Sequence, residues 1–139
     1  MSLYVLDTDI MTLYQHGHLR VVQQVLAHPV AQLAIAVISV EEELTGWYTK
    51  LRQVRKRDQL ARAYQRLAEA VPFFARFQIL SFTELAMVRY EGLRSAHRRV
   101  GKNDLRIAAI ALEQGATVVT RNSKDFKQVA GLMIEDWSK

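Results

Sequence analysis

Short runs of consecutive apolar residues alternate along the chain with longer segments whose apolar residues recur every three or four positions. Continuous apolar runs of this kind are typical of strands that are buried on both faces of a parallel sheet. We therefore predict strands at residues 3–6, 33–38, 77–82 and 116–120, with a last short strand around 132–134. Segments with helical spacing separate them, as in β-α-β units. The pattern predicts an α/β fold with a central, mainly parallel sheet.

A charged break interrupts the longest helical region of the sequence. It contains a cluster of basic residues followed by one acid, at Arg52, Arg55, Lys56, Arg57 and Asp58. Apolar residues continue at helical spacing on both sides of the break, which predicts two antiparallel helices joined at a charged tip. We expect this helical hairpin to project from the α/β core and to expose apolar side chains to a partner.

Acidic residues recur where predicted strands or loops give way to helices. Carboxylates occupy such junctions at Asp7, Glu42, Asp104 and Asp125. Right-handed crossovers bring the carboxyl ends of parallel strands to one edge of a sheet, where open α/β folds bind their ligands. We therefore expect these side chains to face one pocket.

Local structure offers a second interpretation of the same residues. Ser39 and Glu42 have the spacing of a capping box, in which each side chain bonds the other residue's backbone N–H. Thr8 or Asp9 could likewise cap the helix that follows the first strand. Thr8 and Asn122 fit equally well as helix caps and as groups that hold the site beside the acids. Both interpretations stay open at this point.

Several carboxylates in one pocket are unfavourable, because each ionised neighbour raises the pKa of the others. A divalent cation relieves this repulsion, and ligands that are all oxygen atoms indicate Mg²⁺ or Mn²⁺. A cation in such a pocket can activate water for attack on a phosphodiester. The spacing of His16, His18 and His28 fits no common metal-ligand pattern, so we assign these histidines no role.

Composition narrows the classes of protein further. With 139 residues, of which 50% are hydrophobic, the chain has the size of one domain. Its formal net charge of +5 favours a polyanionic partner such as nucleic acid. The absence of cysteine excludes disulfides and thiol nucleophiles. Because the sequence has neither a signal-peptide pattern nor a stretch of membrane-spanning length, we expect a cytoplasmic protein without membrane association.

An ordered set of motifs resembles the PIN-domain family, and within it the VapC-type toxins of type II toxin–antitoxin pairs. The motifs are Leu6-Asp7-Thr8-Asp9, Ser39-Val40-Glu41-Glu42 followed by Leu44 and Gly46-Trp47, Gly101-Lys102-Asn103-Asp104 with Ile107-Ala108-Ala109, and Thr120-Arg121-Asn122-Ser123-Lys124-Asp125-Phe126. Each motif alone is weak, but the ordered set is specific and spans nearly the whole chain.

The resemblance implies a three-layer α/β/α sandwich in which residues 1–139 form a single nuclease domain. It also implies a Mg²⁺- or Mn²⁺-dependent endoribonuclease, a homodimer that is inhibited by a cognate antitoxin whose tail covers the acidic pocket. Carried over by position, the acidic quartet that binds the metal and cleaves RNA would be Asp7, Glu42, Asp104 and Asp125.

Two points stay open within the resemblance. The second acid could be any of the glutamates at 41–43, and Glu42 is preferred because it stands three residues after Ser39. Some relatives carry another acid one turn beyond the third motif, where this chain has Ile107 and Ala108. The number of metal ions is therefore open.

Two other functions are compatible with the sequence. Asp7-Thr8-Asp9 also resembles the paired aspartates of haloacid-dehalogenase-type phosphatases, although Ile10-Met11 stands where that family expects a glycine. Alternatively, the acids are only helix caps, and the chain is a non-catalytic module that binds RNA or a protein partner through its basic helices. A phosphatase would release phosphate from small esters, and a binding module would retain RNA without turnover.

Overall fold

The elements of the computed structural model, which describes residues 2–139, follow the predicted alternation of strands and helices. The strands are β1 (Tyr4–Leu6), β2 (Leu33–Ala36), β3 (Gln78–Leu80), β4 (Thr117–Val119) and β5 (Met133–Glu135). The helices are α1 (Thr8–Gln15), α2 (Leu19–Ala27), α3 (Val37–Gln53), α4 (Arg57–Phe74), α5 (Glu84–Ala96), α6 (Lys102–Gln114) and α7 (Ser123–Phe126). A 3-10 turn, Val30–Gln32, precedes β2.

In the described part of the chain, the five strands form one parallel sheet in the order β3-β2-β1-β4-β5. β1 lies at the centre, where Leu6 pairs with Ile35 of β2 on one side and with Val119 of β4 on the other. The chain moves outward from β1 to β3 and then returns to the opposite side of β1 for β4 and β5. The strand order therefore changes direction beside β1, and open α/β sheets bind ligands at such a switch point.

Successive side chains of the strands point to opposite faces of the sheet. Val5 and Val118 pack into the core under α5 and α6, whereas Leu6 and Val119 pack into the core formed with α1, α2 and α4. These four side chains are 0% exposed, and burial of each contributes roughly 2 kcal/mol. Because both faces are covered, the strands need apolar residues at every position. The predicted three-layer α/β/α sandwich with a parallel sheet is confirmed.

The predicted helical hairpin is formed by α3 and α4, which are joined at the charged tip by residues 54–56. It exposes aromatic residues, with Tyr48 49% and Tyr64 57% accessible to solvent. Neither these helices nor any other within residues 2–139 combines the length and apolar character needed to cross a membrane.

The predicted second strand is too long, and the predicted capping box is wrong. β2 ends at Ala36 and α3 begins at Val37, so Ser39 lies inside the first turn of the helix rather than at its N-cap. The error has a physical cause, because a continuous apolar run does not distinguish a buried strand from the buried start of a helix. The Ser39 hydroxyl is therefore placed for a contact outside its own helix.

Candidate active site

The carboxyl ends of β1 and β4 form one edge of the candidate active site. The backbone N–H of Asp7 donates to the carbonyl of Val119 at 3.0 Å, which extends the pairing of the two strands by one bond. Beyond this point α1 packs on one face of the sheet and α7 on the other. A crevice lies at this edge of the sheet, lined by residues of α1, α3 and α6 and by Asn122, which directly precedes α7.

Asp7 lies inside this crevice, where it is only 5% exposed. Its Oδ1 accepts a hydrogen bond from the N–H of Ile10 at 2.9 Å, so Asp7 itself caps α1, and the expectation that Thr8 or Asp9 caps it is wrong. Burial raises the pKa of Asp7 to about 6. Hydrogen bonds with Thr120 and with the backbone of Ile10 lower this pKa in part, and the nearby charges of Asp9 and Asp104 raise it further. The crevice disfavours an uncompensated negative charge.

Glu42 reaches the same crevice from α3 through a short chain of hydroxyl groups. Thr8 Oγ1 donates to Glu42 Oε1 at 2.6 Å, and Ser39 Oγ lies 2.8 Å from Thr8 Oγ1. Since Thr8 has one hydroxyl proton and gives it to the carboxylate, Ser39 must be the donor to Thr8. Ser39 is fully buried. Thr8 therefore orients an acid of the site and does not cap α1.

The three consecutive glutamates of α3 point in different directions, because successive helical residues are rotated by about 100°. Glu41 is exposed, whereas Glu42 lines the acidic cavity. Glu43 turns into a separate groove of ≈ 540 Å³ between α1, α3 and α4. Among residues 2–139 its buried Oε2 has no hydrogen-bond partner. This geometry favours Glu42 as the second acid.

Asn122 joins the remaining two predicted acids. Its Nδ2 donates to Oδ2 of Asp104 at 3.2 Å and to Oδ2 of Asp125 at 3.0 Å, while its backbone N–H donates to Thr120 Oγ1 at 2.8 Å. Burial raises the pKa of Asp104, the bond from Asn122 lowers it, and the charges of Glu42 and Asp125 raise it again. One amide group thus holds two carboxylates side by side instead of capping α7.

The lining of the crevice shows which of the predicted residues meet. A cavity of ≈ 450 Å³ is lined by Asp7, Thr8, Asp9, Thr12, Glu42, Asp104 and Asn122. Three of the four predicted acids therefore face one space. Asp125 does not line this cavity, but the Asn122 side-chain amide donates to both Asp125 and Asp104.

Two residues beside the acids, Asp9 and Arg121, are not among the site residues predicted for the nuclease. Asp9 lines the cavity, and Arg121 donates from Nε and Nη2 to its two carboxylate oxygens at 2.7 and 3.1 Å. A signal was present, because Asp9 follows Asp7 by two positions and Arg121 immediately precedes Asn122. That the two residues pair could not be read from their positions, which are 112 residues apart.

The donor atoms of the cavity suit a hard divalent cation. They are oxygens of carboxylates, hydroxyls and one amide, and the raised pKa values of Asp7 and Asp104 indicate that negative charge here lacks full compensation. Within residues 2–139, no three His, Cys, Asp or Glu side chains converge as a ready-made ligand group. An ion that keeps several waters and binds one or two carboxylates, as Mg²⁺ does, fits this open arrangement better than zinc.

A parallel α/β/α sandwich with an acidic, oxygen-lined cavity at the switch point of its sheet suits a metal-dependent enzyme that acts on phosphate esters. A family model described as the PIN domain matches residues 4–132. The chain belongs to the PIN domain family.

Individual relatives agree with this assignment. The chain is 27% identical over 143 residues to "Ribonuclease VapC1" of Haemophilus influenzae (strain R2866), and the alignment covers 99% of each protein. It is 37% identical over 71 residues to "Ribonuclease VapC2" of Rickettsia felis, covering 48% of this chain and about half, 53%, of that relative.

The fold is similar to that of a solved complex, VapBC2 from Rickettsia felis bound to a DNA fragment from its promoter. The TM-score is 0.73 at 26% sequence identity, and the match covers 97% of this chain and 98% of that chain. The predicted membership of the PIN-domain family and its VapC-type branch is confirmed, and with it the expected class of function, a nuclease of a toxin–antitoxin pair. PIN-domain ribonucleases are generally dependent on divalent metal ions.

Proposed function

We propose that this protein is an endoribonuclease that uses Mg²⁺ or Mn²⁺, and that residues 1–139 form a single nuclease domain. The observation that carries the proposal is the cavity at the ends of β1 and β4, where Asp7, Glu42 and Asp104 face one space. The relatives named as ribonucleases support RNA as the substrate class, and the net charge of +5 suits a polyanion. Cleavage of cellular RNA would place its action in the cytoplasm.

In this proposal the metal is bound by one or two carboxylates of the acidic quartet Asp7, Glu42, Asp104 and Asp125, and the other acids of the quartet complete the negatively charged site. When bound, the cation supplies the Lewis acid that polarises the phosphate and activates a water molecule. The protein's own contribution is to orient the acids. Thr8 and Asn122 each bind one oxygen of an acid, Glu42 Oε1 and Asp104 Oδ2 respectively, and the second oxygen of each acid is the candidate ligand.

Cleavage of RNA with controlled metal content tests this function. We expect the protein to cut members of a panel of structured RNAs when Mg²⁺ or Mn²⁺ is present, and to lose this activity when a chelator removes the metal. Gel analysis of the products and a parallel assay of phosphate release from small esters are the measurements. Phosphate release without RNA cleavage would indicate a phosphatase, and RNA retention without cleavage would indicate a binding module.

If Glu42 is the second acid, RNA cleavage should depend on Glu42 and not on its neighbour Glu41. Glu42→Gln removes the charge of a candidate metal ligand that Thr8 orients, so we expect RNA cleavage to fall at least about 10- to 100-fold, the range seen when groups that only support a metal ligand are changed. Glu41→Gln is the matched control, because Glu41 is the exposed neighbour in the same helix turn, and its activity should stay near the parent value. Initial rates at saturating Mn²⁺ measure both. Equal losses in the two variants would contradict the assignment.

Two partners belong to the proposal besides RNA. A cognate antitoxin is supported by the similarity to VapBC complexes, and we propose that a tail of this antitoxin covers the acidic cavity.

We also propose a homodimer, because α5 exposes Leu85 (67%) and Val88 (65%), which lie three residues apart on one face. Sedimentation of the purified protein measures the oligomeric state, and a monomer at all concentrations would contradict the dimer.

A further inference from the structure

Arg121 lies at the rim of the acidic cavity, on the turn between β4 and α7. It binds both carboxylate oxygens of Asp9, which lines the cavity, and both side chains of this ion pair are 49% exposed. An exposed ion pair of this kind adds little to stability, because water hydrates the separated charges almost as well. The guanidinium can therefore exchange the Asp9 carboxylate for another anion at small cost, and it matches a phosphate equally well.

A second arginine near the acids is Arg106, which lies in α6. It lines a second cavity of ≈ 570 Å³ that shares Glu42 and Asp104 with the first. Its Nη1 donates to Asn103 Oδ1 at 2.7 Å, and its guanidinium carbon lies 4.9 Å from the centre of the Tyr90 ring. These two contacts hold the side chain in one orientation while only one of its five N–H groups is used by Asn103.

The two cavities share Glu42 and Asp104, and each has an arginine, with Arg106 in the lining of one and Arg121 bound to Asp9 in the lining of the other. A polyanionic backbone that approaches Asp7, Glu42 and Asp104 is repelled by them, and cations beside the acids offset this repulsion. Arginine is suited to this task because its planar group presents several donors to one phosphate.

We propose that Arg106 and Arg121 bind RNA phosphates on opposite sides of the nucleotide that is cut, and we call them the flanking arginines. The inference deepens the proposed ribonuclease function and rests on it. The flanking arginines bind the backbone irrespective of base sequence, and they set where along the strand the acids act. Asp9 holds Arg121 at the rim until an RNA phosphate replaces the Asp9 carboxylate on the guanidinium.

Binding of a single-stranded RNA to Asp104→Asn protein tests the flanking arginines without turnover. In this background we expect Arg106→Gln and Arg121→Gln each to weaken binding about 5- to 10-fold. The slope of log affinity against log salt should fall by about 0.7 for each lost phosphate contact. Fluorescence anisotropy across a salt series is the measurement, and melting temperatures establish that each variant is folded.

Two control variants separate phosphate binding from other effects. Arg62→Gln removes an equally charged, exposed residue of α4 that pairs with Asp58, so it should leave affinity and slope near the parent values. Asp9→Asn breaks the same ion pair as Arg121→Gln but leaves the guanidinium in place, so RNA should bind at least as tightly. The inference is overturned if the flanking variants behave like Arg62→Gln, or if Asp9→Asn weakens binding as much as Arg121→Gln.

A failure of the flanking arginines to bind RNA can be distinguished from a failure of the proposed ribonuclease function. RNA binding that depends on the flanking arginines, in a parent protein that never cuts RNA, would overturn the ribonuclease and retain the binding role of these arginines. Metal-dependent cleavage whose KM is the same in the parent and in both arginine variants would retain the ribonuclease and overturn that binding role.

Discussion

Asp104→Asn is expected to lower kcat/KM for RNA cleavage about 1,000-fold while the protein stays folded. The substitution keeps the size of the side chain and an oxygen that can accept the hydrogen bond from Asn122, but it removes a charged metal ligand. A loss of about 4 kcal/mol of transition-state stabilisation corresponds to this factor. Because burial and neighbouring acids raise the pKa of Asp104, removing its charge should not destabilise the metal-free protein.

The measurement combines single-turnover cleavage in Mn²⁺ with circular dichroism of the same preparation. Asp58→Asn is the matched control, since Asp58 is a solvent-exposed aspartate in the first turn of α4 and pairs only with a neighbouring arginine among the described contacts. It should cleave RNA like the parent. If Asp104→Asn cuts RNA as fast as Asp58→Asn, the acidic cavity is not the active site.

Asp7→Asn is expected to inactivate the protein and yet to stabilise it in the absence of metal. In the folded state the pKa of Asp7 is about 6 against an ordinary 3.8, so well below pH 3.8 the group is protonated in both states and contributes nothing. Between pH 4 and 6 the unfolded chain releases the proton while the folded protein retains it, and the parent loses stability. Above pH 6 the loss levels off at about 3 kcal/mol.

The asparagine variant lacks this titration and can still cap α1 through its side-chain oxygen, because Asn and Asp are equally good N-caps. We therefore expect the free energies of unfolding of variant and parent to agree near pH 4 and to differ by about 3 kcal/mol at pH 7, with the variant more stable. Urea unfolding with chelator present, from pH 4 to 8, measures the difference. A difference that is constant with pH, or a parent that is more stable at pH 7, would contradict the burial of an unneutralised carboxylate.

Metal binding should reduce this difference in stability. A cation that binds only the folded parent stabilises it in proportion to the logarithm of its concentration, whereas Asp7→Asn has lost a candidate ligand. Adding Mn²⁺ at pH 7 should therefore narrow the difference in unfolding free energy between the two proteins. If Asp7 is instead a buried acid with no role in metal binding, Mn²⁺ would change the unfolding free energies of the parent and of Asp7→Asn by the same amount.

The strands could be predicted from the sequence because burial on both faces imposes a simple pattern. Every position of β1, β2 and β4 needs an apolar or small residue, so the runs are continuous and visible. Asp7 could be found for a related reason, since a carboxylate directly after such a run stands at the carboxyl edge of a parallel sheet. The other three acids were found because each stands near the start of a predicted helix. The tip of the hairpin was equally visible as a charged break.

The errors occurred where neighbouring residues have more than one possible partner. The spacing of Ser39 and Glu42 predicted a capping box, but Ala36 ends the strand and the two side chains turn to Thr8 instead. Similarly, Asn122 precedes a helix yet donates to two acids. A cap and a tertiary hydrogen bond use the same polar atoms, and local sequence does not say which of them forms.

The sequence by itself therefore determined the alternation of strands and helices, the edge of the sheet where acids gather, and the oxygen-only character of the candidate ligands. The tertiary structure alone decided that Glu42 rather than its neighbours enters the cavity, that Asp125 stands behind Asn122, and that Asp9 pairs with Arg121. The physical reason is range. Burial requires an apolar or small residue at every position of a strand, which is visible in the local sequence. A hydrogen bond between residues far apart in the sequence depends instead on how whole helices pack.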